Sequence, residues 1–184
     1  MDELVASGAD AVLVSAQKYL ASPTAGLIIG RADFVRDCRA QERGIGRAMK
    51  ATKEAILGVV AALEERREVA PSAWRETQAR KVARFVQGLR LIEGILADEV
   101  PDPAGMPLSR VRLTVAARGT DWNAAVLAAR LKSATPPIWL MEHAVSEGHL
   151  FLELVPLDDA ELQVILDRVA QFASDRAPDK APGK

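Results

Sequence analysis

Lys18 is the side chain whose setting asks for chemistry. An apolar run, Ala11 to Ser15, leads into Ala16-Gln17-Lys18; a polar turn containing Pro23 follows, then a second apolar run, Gly26 to Gly30. A lysine at the end of a core strand needs a reason, because an unpaired ammonium in apolar surroundings is costly. One reason is that burial favours the neutral amine, which can condense with an aldehyde. A second group of candidates sits in Gly44-Ile45-Gly46-Arg47-Ala48-Met49-Lys50. Arg47 and Lys50 fall where a helix is expected to begin, and free backbone N–H groups with nearby cations favour an anion there. Gly44 and Gly46 would let the backbone approach it closely. Lys53 either joins this pair or stays on the surface. Ser15, Ser22 and Thr24 can hydrogen-bond a phosphate near Lys18 or cap the turn locally.

The other reactive residue types carry less. His143 and His149 have no metal-ligand spacing to other His, Cys or carboxylate groups, so no metal site is expected. Cys38 has no partner that would activate it as a nucleophile. Trp74, Trp122 and Trp139 are scattered and read as packing anchors. No phosphate-loop or dinucleotide glycine fingerprint is present. The arginines of 31–47 alternate with Asp33, Asp37 and Glu42, which argues against a nucleic-acid stripe.

The segment Gly8-Ala9-Asp10, Ser15, Lys18, Ser22-Pro23, Thr24-Ala25-Gly26-Leu27-Ile28-Ile29-Gly30 resembles the cofactor-lysine region of pyridoxal-phosphate enzymes similar to bacterial selenocysteine synthase. That group includes selenium transferases and relatives similar to D-glucosaminate-6-phosphate ammonia lyase. Ser22 stands where the family usually has Gly before Pro, and Gln17 where Asp, Gly or Ala is common. The stretch Gly44 to Glu54 is similar to the family's Gly-Arg-x-Met-Lys-x-x-Lys-Glu signature, and the helix through Gly58 to Glu64 also fits. The match is strong over 8–66 and architectural beyond.

The resemblance implies fold type I, with Lys18 as the catalytic, cofactor-holding amine and Ser15 as a cofactor contact. It implies that Arg47 and Lys50 bind a substrate carboxylate or phosphate. The implied reaction is α-proton loss and β-elimination on an amino acid or amino sugar acid. Met49-Lys50-x-x-Lys53-Glu54 fits the ammonia-lyase-like relatives better than the tRNA-dependent selenium transferases, which remain a second option. A homodimer is expected by analogy. Only 17 residues precede Lys18, so the chain looks like the C-terminal portion of such an enzyme. It would then require an N-terminal half, act as a subunit of a split enzyme, or be an inert fragment.

Length and composition bound these readings. The chain has 184 residues, 49% apolar and 27% charged, with a net charge of −1 and one cysteine. These are ordinary values for a globular protein. The near-zero charge recruits neither nucleic acid nor an anionic membrane. The single cysteine excludes an intrachain disulfide framework, so a cytoplasmic chain is the default. No apolar run reaches membrane-spanning length.

The expected fold class is α/β, in four parts: a remnant of a large-domain sheet (1–47), long linking helices (48–100), a small α+β domain of strand, helix, hairpin and helix (108–175), and a disordered tail (176–184). Strands are expected at Ala11 to Ser15 and Gly26 to Gly30, and a short helix from Ala32 to Gln41 with Phe34 and Val35 inward. A helix from Ala48 would carry the stripe Ile56, Val59, Val60 and Leu63. After Pro71 a second would run from Ser72 to Ala97 with Val82, Phe85, Val86, Leu89, Ile92 and Leu96 on one face. Arg110 to Ala116 reads as a half-buried strand. Thr120 would cap a helix to Ser133, Ile138 to Val145 and His149 to Val155 would form a hairpin, and Asp158 would cap a last helix. Nothing in 108–175 nominates a ligand for a stand-alone binding module.

Overall fold

The computed structural model describes residues 6–116 and 121–175. It is a mixed α/β structure with two small antiparallel sheets, dividing into two compact units between Ala70 and Pro71. The tail expected at 176–184 and the cap expected at Thr120 lie outside the described residues.

The first unit opens with β1 (Ala11–Ser15) and β2 (Gly26–Gly30), paired antiparallel with Ser15 opposite Gly26 and Ala11 opposite Gly30. Both runs are short, apolar and bounded by turn residues, as the sequence suggests. Helix α1 (Ala32–Ala40) follows, then two short 3-10 segments (Gln41–Arg43 and Ile45–Met49) and helix α2 (Lys53–Glu68). Phe34 is not turned inward: it is exposed, and α1 has no buried residue. The helix expected from Ala48 begins five residues later, because the Thr52 hydroxyl caps it by accepting the Ala55 N–H at 3.1 Å. Of its expected stripe only Val59 is buried; Ile56, Val60 and Leu63 stay exposed.

The second unit holds the hydrophobic core. Helix α3 (Pro71–Arg90) buries Val82, Phe85, Val86 and Leu89. It ends short of the expected Ala97, because Gly94 adopts a left-handed φ of 80° and the chain turns into β3 (Ile95–Pro101). There burial alternates with period two, Ile95 and Ala97 inside and Leu96 61% exposed, so Leu96 belongs to no helical stripe. Strand β4 (Ser109–Val115) pairs with β3 on one side and β5 (His149–Leu152) on the other, with Val111, Leu113 and Val115 buried on one face, the alternation of a half-buried strand.

Helix α4 (Ala124–Lys132) is capped by Asn123, whose side chain accepts the Val126 N–H at 3.0 Å. The expected hairpin is reduced to one bridge, Met141 with Phe151, and a 3-10 turn (Val145–Glu147) closed by Gly148 at φ 83°. The N–H groups of Val145, Glu147 and Gly148 donate to the carbonyls of Glu142, Ala144 and Val145, so this stretch is coiled into turns and cannot extend the ladder. Trp122 is a buried anchor, whereas Trp139 is 72% exposed with the Lys132 ammonium over its ring. That contact replaces the packing role expected of Trp139.

Helix α5 (Asp159–Ser174) begins as the sequence suggests. Asp158 accepts the Glu161 N–H and Glu161 accepts the Asp158 N–H, each at 2.8 Å. Asp158→Ala removes half of this reciprocal cap and is expected to destabilise the chain by about 1 kcal/mol in urea unfolding. An unchanged midpoint would show that solvent satisfies the helix end equally well.

Candidate functional site

The ribbon β1–β2 positions Lys18. Its far end is pinned: Arg31 donates its backbone N–H to the Asp10 carbonyl at 3.0 Å and its guanidinium to the Asp10 carboxylate at 2.8 Å. Gly30 is required there, since a Cβ would lie 2.2 Å from the Asp10 carbonyl oxygen. The same guanidinium hydrogen-bonds Asp33, which with the Phe34 N–H holds that carboxyl below its ordinary pKa. Asp10 of the first motif thus braces the ribbon at the end opposite Lys18.

At the near end the chain leaves β1 through a closed turn. The Ala16 N–H donates to the Ala25 carbonyl at 2.9 Å, Ser22 N–H to Ala16 at 3.4 Å and Ala21 N–H to Lys18 at 3.3 Å. Ala16 is fully buried and Ser22 nearly so. The Ser22 hydroxyl donates to the Pro23 carbonyl at 2.9 Å, so of its two open roles this turn shows the local one. Ala21 sits at φ 52°, a left-handed conformation costing a non-glycine residue roughly 1–2 kcal/mol. Within this frame Lys18 is exposed and, among the described residues, engaged in no ion pair. The apolar surroundings expected around its amine are therefore absent from this unit, because the residues flanking it form a polar turn. Ser15 is half-buried at the last position of β1, facing Gly26 across the ladder.

Arg47 and Lys50 do not occupy the first turn of a helix. Arg47 lies in the second 3-10 segment and Lys50 is extended (φ −61°, ψ 133°), before the Thr52 cap. Both are exposed. Lys50 pairs with Glu42 at 3.3 Å, a partner the motif did not announce. No described contact joins either cation to Lys18. Elsewhere, His149 meets the Thr114 hydroxyl at 2.9 Å and His143 stacks on Phe151, so both imidazoles are structural. The second unit has an apolar cavity of about 470 Å³ lined by Trp139, Met141, Phe151, Leu157 and Ile165, none of them a predicted site residue.

The chain is 33% identical over 173 residues to D-glucosaminate-6-phosphate ammonia lyase of Salmonella typhimurium, covering 94% of this chain and 46% of that protein. A solved structure of D-glucosaminate-6-phosphate ammonia-lyase superposes with a TM-score of 0.75 at 32% identity over 93% of this chain. The chain is homologous to this lyase, a pyridoxal-phosphate enzyme of fold type I. It is also 34% identical over 171 residues to a 5'-C-glycyluridine monooxygenase-decarboxylase of a Streptomyces species, covering 93% of this chain and 43% of that protein. No family model matches. The chain spans about half the length of the curated relatives it matches. Among the described residues no helix is long and apolar enough to cross a membrane.

Proposed function

We propose that this chain is the lysine-bearing portion of a pyridoxal-phosphate-dependent lyase or transferase. Its substrate would be an amino acid or amino sugar acid. The carrying observation is Lys18, a free primary amine on a turn locked to a braced ribbon, in a chain one-third identical to such a lyase. The donor set fits an aldehyde cofactor in that the amine is accessible and, among the described residues, engaged in no ion pair; the apolar cover that favours its neutral form would come from further polypeptide.

Pyridoxal phosphate, when bound, supplies that aldehyde and a ring that takes up negative charge from the substrate's α carbon. Lys18 would hold the cofactor through its amine and, when free of it, would act as the base for the substrate's α proton. The substituent on the β carbon would leave with its bonding electron pair as the α proton is lost. Ser15, at the root of the turn, is a candidate for a cofactor contact. Arg47 and Lys50 are candidates for the substrate's anionic group, which would compete with Glu42 for the Lys50 ammonium. The two relatives named above carry out different reactions, but both names denote an amino acid unit attached to a sugar-derived chain. That common feature supports the substrate class more than the reaction type.

Exposed apolar side chains on the first unit favour a site completed by further polypeptide. Leu13 on β1 is 78% exposed and Leu57 on α2 69%, and the outer edges of the ribbon have no strand partner among the described residues. Such edges and patches are ordinarily covered. The cover would be an N-terminal half or a second copy, in a cytoplasmic enzyme. A chain that works as an inert subunit would show the same exposure but no selective reaction at Lys18.

Borohydride reduction after incubation with pyridoxal phosphate distinguishes the two. The expected result is fixation concentrated on the peptide containing Lys18, measured by mass spectrometry. Fixation spread evenly over the surface lysines would refute a dedicated role.

A further inference from the structure

Helix α2 carries a glycine, Gly58, in its interior, where glycine costs about 1 kcal/mol relative to alanine. The reason lies in the turn that holds Lys18. A Cβ at Gly58 would lie 2.5 Å from both Cγ and Cδ of Pro23. Those atoms belong to a ring whose backbone φ is fixed, so they cannot rotate aside as the end of a flexible side chain would. The hydrogen bonds described above close the turn on itself and on β1, but they leave its orientation toward α2 undetermined. The Pro23 ring seated on the bare backbone at Gly58 fixes that orientation.

We propose that Gly58 is a positioning residue for Lys18: the missing side chain lets Pro23 rest on α2, and the Lys18 turn is thereby held in register with that helix. Gly58 lies five residues beyond Lys53, roughly 7.5 Å along the helix axis. The contact therefore ties the Lys18 turn to the start of α2, next to the segment bearing Arg47 and Lys50. Two motifs that the sequence keeps some thirty residues apart acquire a fixed spatial relation through one glycine and one proline. As a statement about catalysis this rests on the pyridoxal-phosphate reading; as a statement about what holds the turn it does not.

The test is a double-mutant cycle on the full chain with Gly58→Ala, Pro23→Ala and both together. Amide hydrogen exchange at Ala16, Ala21 and Ser22 is the first readout. Gly58→Ala is expected to speed it at least about tenfold while amides of the second-unit core are unchanged, and the double variant to return to the Pro23→Ala level. Helix propensity alone predicts the opposite sign, since alanine strengthens a helix interior. Borohydride fixation of pyridoxal phosphate is the second readout. The Lys18 yield is expected to fall about tenfold in Gly58→Ala relative to Lys53, and to recover in the double variant.

Unchanged exchange in Gly58→Ala, or a double variant no better than the single, overturns the proposal. Exchange that follows the cycle in a chain whose Lys18 is never selectively fixed supports the seating and refutes the cofactor reading instead. Circular dichroism identifies a variant that has merely unfolded; where Gly58→Ala alone unfolds, Pro23→Ala, which removes the ring and adds no clash, carries the test: its turn amides are expected to exchange at least about threefold faster than the parent's, and an unchanged rate overturns the proposal.

Discussion

Lys18→Ala is expected to abolish borohydride-fixed pyridoxal phosphate at the 16–25 turn and to leave the urea midpoint of the chain unchanged. The two halves of this expectation have separate grounds. The side chain is exposed and makes no ion pair among the described residues, so its removal takes no packing and no charge partner from the fold. Substitutions of that kind stay within about 0.5 kcal/mol. Chemically the loss is complete, because no other amine sits on this turn. In an enzyme completed as proposed, removal of the amine proposed to move the α proton is expected to lower kcat by about 10²–10⁴ or more. Lys18→Arg keeps the charge but offers a guanidinium that does not give up its proton, so it should be as inactive as alanine. Full activity in Lys18→Arg would mean that the side chain serves only as a cation, and the proposed role would fall.

The elements that carry Lys18 are more legible in the sequence than the surroundings that must support it. Strands β1 and β2 could be read because each is a five-residue apolar run between turn residues, and Lys18 could be placed because it follows the first directly. The segment 92–97 imitates a helix because Ile92 and Leu96 sit four residues apart, a spacing helix and chance share. Gly94 was the signal that separates the readings, since an isolated glycine between apolar residues marks a turn as readily as a tolerated defect. Helix α2 starts later than its apolar pattern suggests for a related reason: the capping signal at Thr52 lies inside the Gly44 to Glu54 motif, whose cations suggest an earlier helix start.

Other features could not be derived from the pattern. A helical stripe at Ile56, Val59, Val60 and Leu63 states that a face is apolar, not what covers it, and in this chain most of that face is uncovered. Likewise the distance from Gly58 to Pro23 is a tertiary fact. A glycine in a helix raises the question, and only the coordinates answer it.

The uneven distribution of burial makes the last expectation a comparison. The buried cluster runs from Val82 to Ala173, all within the second unit, and Phe85, 2% exposed, is among its largest members. Phe85→Ala removes a ring from close-packed surroundings and leaves a cavity that neighbours fill only in part, so a loss of about 3–5 kcal/mol is expected in urea unfolding. Leu57→Ala deletes a side chain of similar hydrophobic character from the open face of α2 and should change the same midpoint by less than about 0.5 kcal/mol. If Leu57 is covered by a second copy or an N-terminal half in the working protein, its substitution should instead weaken association, read as a shift toward the smaller species in sedimentation velocity. A large loss of intramolecular stability in Leu57→Ala, with association unaffected, would mean that the face of α2 is buried within the chain itself, and the case for further polypeptide over the Lys18-bearing unit would fail.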